Sequence, residues 1–149
     1  MLIRLYRFAR WLHLHKVPAL PYLIYVFNRL VFSVVLPPTV QLGKNVTLGY
    51  QGLGIVIHRR AVIGNNVIVS PGVVIGGRAE FVEVPIIEDD VLIGAGAKIL
   101  GPVRVGKGAQ IGANAVVVND VPPNVTVVGI PAKIVVTERT QQCSSPPSI

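Results

Sequence analysis

A strict six-residue period constrains this chain more than any other feature. An aliphatic residue stands at Ile57, Ile63, Val69 and Ile75, and again at Ile87, Ile93, Ile99, Val105, Ile111 and Val117, with earlier copies at Leu42 and Leu48. The next residue is usually Gly, as at Gly43, Gly64, Gly94 and Gly112. Four positions after each aliphatic comes a small or β-branched residue, such as Val67, Ala97 or Ala115. A period of six fits neither a helix nor simple strand alternation, so it is a structural repeat.

Each hexamer supplies one short strand and one bend, and three of them make a triangular turn of parallel β-helix of about 18 residues. The aliphatic points into the prism and the small residue fills the next inward place. Gly beside the corner is expected to relieve backbone angles that a Cβ would penalise. A helical reading would put Gly and β-branched residues at unfavourable interior positions throughout. The phase breaks twice. Residues 77–86, around GRAEFVEVP, read as a loop pushed out of the coil, and an offset of three at Gln51–Gly54 reads as a small bulge. Roughly four to five coils then fit between residues 40 and 122.

A chain of 149 residues is one domain with at most an appended segment. Residues 1–39 read as helical, 40–136 as the β-helix, and 137–149 as a flexible tail. The first helix has apolar Leu2, Leu5, Phe8, Ala9 and Leu12 beside basic Arg4, Arg7 and Arg10; a second apolar run ends at Pro37 and Pro38. Asn28 and Arg29 interrupt that run, which is too short to span a membrane, and no small-residue cleavage site follows. Two helices packed on one end of the coil, or on a neighbouring subunit, is one reading. A basic amphipathic segment over residues 1–35 lying on a membrane surface is the other.

The formal charge of +7 invites a nucleic-acid reading. The charges read as scattered, and no recognition helix or aromatic platform accompanies them, so nucleic acid is not expected. An anionic membrane surface or a polyanionic ligand suits the charge better. The single Cys, Cys143, rules out an intrachain disulfide framework and lies in the polar tail. A cytosolic location is the default, with a peripheral place at the inner face of the membrane beside it.

Several stretches carry a resemblance: YRFARWLH, NRLVF, GLGIVIHRRAVIG, VVIGGR, IGAGAKILGPVRVG and DVPPNVTVVGIPAKIV. Through them the chain resembles hexapeptide-repeat acyltransferases, specifically the serine acetyltransferase-like branch that includes exopolysaccharide O-acetyltransferases. The resemblance implies a left-handed parallel β-helix, a homotrimer, acetyl-CoA as donor, and active sites between neighbouring subunits. It places the backbone at Gly77, Ala95 and Ala113 against the pantetheine arm. It places Lys133, with Arg78 the weaker candidate, near a coenzyme A phosphate. Repeat geometry alone also accounts for the Gly and Ala residues.

The chain departs from the family pattern where the chemistry would be. Tyr50 stands where serine acetyltransferases have a catalytic His, and Val84 stands where a second His precedes a Pro. Pro71 replaces a His found in polysaccharide-type relatives. The acidic N-terminal domain of the serine enzymes is also missing from the match.

His58 is then the only imidazole within the repeat, in a slot where Gly is usual. Acetyl transfer from a thioester to a hydroxyl needs a base for the hydroxyl proton, which an imidazole suits near neutral pH. His58 is the candidate base; a corner residue without catalytic duty is the alternative. Tyr50 is a candidate for lining the acceptor pocket, a phenol being poorly matched to base work near neutral pH. Glu83 is a candidate for orienting a base or binding acceptor, against the plainer reading of a solvated loop charge.

The expected activity is therefore acetyl-CoA-dependent O-acetylation of a sugar or polysaccharide precursor, or of serine. The competing expectation is a non-catalytic trimeric scaffold or regulatory protein. A β-helix carbonic anhydrase would need three imidazoles on zinc, and the coil offers one, so no metal is expected.

Overall fold

The computed structural model describes residues 1–135. Each hexamer forms one short strand, and successive strands fall on the three faces of a prism in turn. Face 1 holds β1 (Gln41–Leu42), β4 (Val62–Ile63), β7 (Ile86–Ile87) and β10 (Arg104–Val105). Face 2 holds β2 (Thr47–Leu48), β5 (Ile68–Val69), β8 (Leu92–Ile93), β11 (Gln110–Ile111) and β13 (Thr126–Val128). Face 3 holds β3 (Val56–Ile57), β6 (Val74–Gly76), β9 (Lys98–Leu100) and β12 (Val116–Val117). Every pairing among these strands is parallel. The fold is a left-handed parallel β-helix, an exception to the right-handed rule for parallel crossovers.

Both inward positions are filled as the period requires. Ile57, Ile63, Val69, Ile75, Ile87, Ile93, Ile99, Val105, Ile111 and Val117 are buried, as are Val46, Ala61, Val67, Val73, Val91, Ala97, Val103, Ala109, Ala115 and Val121. Neighbouring coils are tied by backbone bonds such as Val56 N–H to the Val73 carbonyl at 2.9 Å and Val74 N–H to the Ala97 carbonyl at 3.0 Å. The core is thus one axial column, each coil bonded to its neighbours.

The two phase breaks are real features of the backbone. Val56 pairs with Val74, 18 residues on, whereas Val74 pairs with Lys98, 24 residues on. One hexamer's length of chain is extruded as a loop over residues 77–85, and Ile86 already lies in β7. The smaller offset is a tight turn at Gly49–Gly52 in which Tyr50 (φ 48°) and Gln51 (φ 57°) both adopt left-handed backbone.

Two helices close the first end. α1 (Leu2–Leu14) buries Leu2, Tyr6, Ala9 and Leu12. This shifts the buried face from the one expected: Tyr6 is inside and Phe8 is exposed. α2 (Leu20–Phe32) packs on α1 and buries only Pro21 and Asn28. It ends at Ser33, before the Pro pair, because Val34 and Leu36 enter the core and Val35 bridges to Val56. The coil therefore begins at Val34 and not at residue 40.

The far end is closed differently. After β13 the chain turns through residues 129–132 and returns as β14 (Lys133–Val135), antiparallel to β13. The expected tail at 137–149, with Cys143, lies outside the described residues.

Candidate active site

The strands leave three edges, and each has its own chemistry. The edge between faces 3 and 1 carries Pro37–Thr39, His58–Arg60 and the 77–85 loop. The edge between faces 1 and 2 carries Lys44–Asn45, Asn65–Asn66 and Glu88–Asp90. The edge between faces 2 and 3 carries the Tyr50 bulge, Pro71, Ala95 and Ala113.

The sequence candidates divide between two of these edges. His58, Gly77, Arg78 and Glu83 lie on the loop edge. Tyr50, Ala95 and Ala113 lie on the bulge edge, across the width of face 3. Lys133 is exposed on β14, beyond face 2. A single subunit therefore does not bring all of them together.

On the loop edge, contacts fix the corner. The Arg60 guanidinium donates to the Val82 carbonyl, tying the loop to the His58 corner. Thr39 Oγ1 donates to the Arg59 carbonyl at 2.7 Å. Arg78 packs over Gly101 and places its guanidinium 5.4 Å from the Phe81 ring centroid. Glu83 is exposed on the same loop.

His58 is half-buried. Its Nδ1 accepts the Arg60 backbone N–H at 3.2 Å, so a neutral ring carries its proton on Nε2. Partial burial, and then the nearby Arg60 and Arg59 charges, hold its pKa below the ordinary imidazole value. The ring is thus neutral at pH 7, presenting Nε2–H as a donor. To accept a proton it must use Nδ1 and release the Arg60 amide.

On the bulge edge, Tyr50 is 84% exposed and its ring is free to meet a ligand or a second subunit. Ala95 and Ala113 are two small, exposed residues one coil apart, and neither backbone N–H is taken by another group among the described residues.

The third edge is structural. Glu88 accepts from Arg104 Nε at 2.6 Å and from the Lys107 backbone N–H at 2.8 Å. Asp89 accepts the Asn65 backbone N–H at 2.7 Å. Asn66 donates to Asp90 at 2.9 Å. These bonds hold Glu88 and Asp89 below the usual carboxylate range: the Arg104 contact acts first on Glu88, and the Asn65 amide first on Asp89. The Glu88–Asp90 run, adjacent to the loop in sequence, sits one face away from it. Among the described residues, no group of three or more His, Cys, Asp or Glu side chains stands close enough to hold a metal ion.

Sequence reasoning missed one cleft and one buried polar group. A cleft of about 400 Å³ between α2 and the loop edge is lined by His13, Tyr22, Tyr25, Pro37, Pro38, Thr39 and Arg59. Asn28 is buried, and its Oδ1 has no partner among the described residues. The only sequence signal for Asn28 was its presence in an otherwise apolar run.

Comparison with known proteins gives a consistent result. Residues 85–119 match the family model "Bacterial transferase hexapeptide (six repeats)", and residues 39–71 match "Hexapeptide repeat of succinyl-transferase". The chain is 36% identical over 132 residues to a serine acetyltransferase of Synechococcus elongatus, covering 87% of this chain and 54% of that protein. It superposes on a soybean serine acetyltransferase complexed with serine at a TM-score of 0.84 and 38% identity, covering 90% of this chain and 56% of that one. It superposes on a serine acetyltransferase complexed with CoA at a TM-score of 0.83 and 37% identity, covering 90% and 55%. The chain spans little more than half the length of these proteins.

Proposed function

The chain is a hexapeptide-repeat homologue of the serine acetyltransferases, and from that premise we propose that it is an acetyl-CoA-dependent O-acetyltransferase with serine as its first acceptor. The observation that carries this reading is the superposition, over nine-tenths of the chain, on relatives solved with serine and with CoA. It is supported by the open amides of Ala95 and Ala113, which suit a pantetheine arm. The arm of acetyl-CoA would lie along the bulge edge, with Lys133 and Arg78 as phosphate partners. Acetyl-CoA supplies the activated thioester; the protein's part is to align an acceptor hydroxyl with it and to move one proton.

Because the candidates lie on two edges, the working unit is a homotrimer in which the loop edge of one subunit meets the bulge edge of the next. Gly77, Arg78, Glu83 and His58 then face Tyr50, Ala95 and Ala113 of a neighbouring copy. In the reaction the acceptor oxygen bonds to the acyl carbon, the hydroxyl proton passes to a base, and the C–S bond breaks, the base handing that proton to the departing sulfur to release the thiol. His58 is the base in this proposal, working through Nδ1 after releasing the Arg60 amide. Glu83 and Tyr50 border the acceptor.

The test is thiol release from acetyl-CoA with serine as acceptor. His58→Ala should lower kcat/KM by about 10²- to 10⁴-fold, the usual contribution of a positioned base. His58→Asn should be as slow as His58→Ala, because an amide donates but does not take the proton. Near-full turnover in His58→Asn would show that the ring acts only as a donor. Binding of acetyl-CoA without turnover of any acceptor would replace the enzyme by a trimeric scaffold.

A second acceptor class is favoured by one specific observation. Tyr50 and Val84 stand where the resemblance puts two histidines of the serine enzymes. Their replacement suits a different hydroxyl, that of a sugar or polysaccharide precursor. Faster thiol release with a glycan acceptor than with serine would establish that reading.

A further inference from the structure

In a β-helix, position along the chain is height along the prism. Charges that look scattered in sequence are therefore segregated by end. From Met1 to Ala79 there are nine Lys and Arg residues and no Asp or Glu. The remaining residues carry five Lys and Arg against seven Asp and Glu. The helical hairpin and the first coil thus carry cations and no carboxylate of their own.

The same end exposes many large apolar side chains. Leu20, Leu23, Phe27, Leu30 and Val31 follow a helical spacing on one side of α2, and all five are exposed, Leu30 at 78%. On α1, Arg4, Phe8, Trp11 and His15 share one side. Phe8 stacks on Trp11 at 6.3 Å, and Trp11 lies 4.2 Å from the His15 ring. Arg4, Lys16 and Arg29 are exposed on this hairpin, whereas Arg7 and Arg10 are engaged with the carbonyls of the first coil. Large apolar and aromatic side chains beside cations, without a single carboxylate, match an anionic lipid interface.

We propose that the α1–α2 end docks on the surface of an anionic bilayer, with the α2 stripe and Trp11 entering the headgroup region. It lies on the membrane and does not cross it. α2 has 13 residues, a length of about 20 Å against a hydrocarbon core of about 30 Å, and no helix among the described residues is long and apolar enough to span. A second copy on the same face is disfavoured by charge, since two ends without carboxylates would meet. The proposal concerns the hairpin alone and stands whatever reaction the coil performs.

Trp11 is the only tryptophan in the chain, and it is 52% exposed on the docking surface. Its fluorescence is therefore a direct probe for the full-length protein. With vesicles of phosphatidylcholine containing about a third phosphatidylglycerol, Trp11 emission should shift to the blue and the protein should co-sediment. Binding should be at least about 10-fold tighter than to pure phosphatidylcholine and should weaken on raising NaCl from 50 to 500 mM. The double variant Phe27→Glu, Leu30→Glu should lose at least about 10-fold in partition, and its exposed positions leave the core intact. Arg4→Gln with Lys16→Gln should reduce binding to the anionic vesicles only. Failure to bind anionic vesicles, equal binding to both lipids, or unchanged binding of both variants would overturn the proposal. So would an assembly in solution that the Phe27→Glu, Leu30→Glu variant splits in the absence of lipid, since the stripe would then belong to a second copy.

Discussion

Glycine does two different jobs in this coil, and the period alone does not separate them. Gly94, directly after an inward Ile, has no left-handed backbone; a Cβ there would stand 2.6 Å from the Ala113 nitrogen of the next coil. Gly96, two positions on, does adopt left-handed backbone, at φ 69°. The first needs space and the second needs an angle, so the expectation that Gly after the aliphatic relieves a strained angle is corrected. Gly94→Ala should push two coils apart and cost at least about 2 kcal/mol, the scale of a poorly relieved core overpacking, read from the urea midpoint. The core residues were legible one by one, because period six assigns each to the inside. The candidate site was not. Tyr50, His58 and Glu83 are known as residues from the sequence, but their distribution over two edges follows from how many residues the bulge and the loop insert. Tyr6 was illegible for another reason: a Tyr can be buried once its hydroxyl has a partner on another element, and that partner is 34 residues away in sequence.

α1 is held to the coil by side chains that satisfy open backbone groups. The Tyr6 hydroxyl and the Arg10 guanidinium both donate to the Val40 carbonyl, and Arg7 donates to the Gly43 carbonyl at 2.9 Å. These carbonyls lie at the end of the prism, where no further coil exists to bond them. Burial pushes the Tyr6 phenol pKa up, opposed by Arg10, so it stays a neutral donor throughout the physiological range. Tyr6→Phe should cost about 1 kcal/mol, the usual net value of one hydrogen bond, because Arg10 still serves Val40. Tyr6→Phe with Arg10→Met should cost more than the two singles together, since only the double variant leaves the buried carbonyl unpaired; a double-mutant cycle in urea measures the difference. The helical pattern showed that two helices precede the coil, yet it set the end of α2 too late. Val34–Leu36 read as helix by hydrophobicity, but β-branched residues that can enter a β-core prefer it.

For the whole molecule, the carboxylate edge sets the response to acid. Glu88 and Asp89 have folded pKa values below their ordinary ones. Their contribution is therefore present above about pH 4, the ordinary carboxylate range, and is lost as pH falls through their folded values. His58, also lowered, acts in the same direction from about pH 6.5 downward. Stability should rise with pH between 3 and 7, and Glu88→Gln with Asp89→Asn should flatten the acid limb of that curve when urea midpoints are compared. The architecture itself was legible because each coil touches only its neighbours, so a local period dictates the global shape. The two ends break that repetition in opposite ways. A parallel stack open at an end is a template on which further strands can be laid. At one end α1 occupies the template with side-chain donors, and at the other β14 runs against the stack on face 2. Among the described residues, the chain therefore carries a stop at each end that opposes lengthwise stacking of one coil on another.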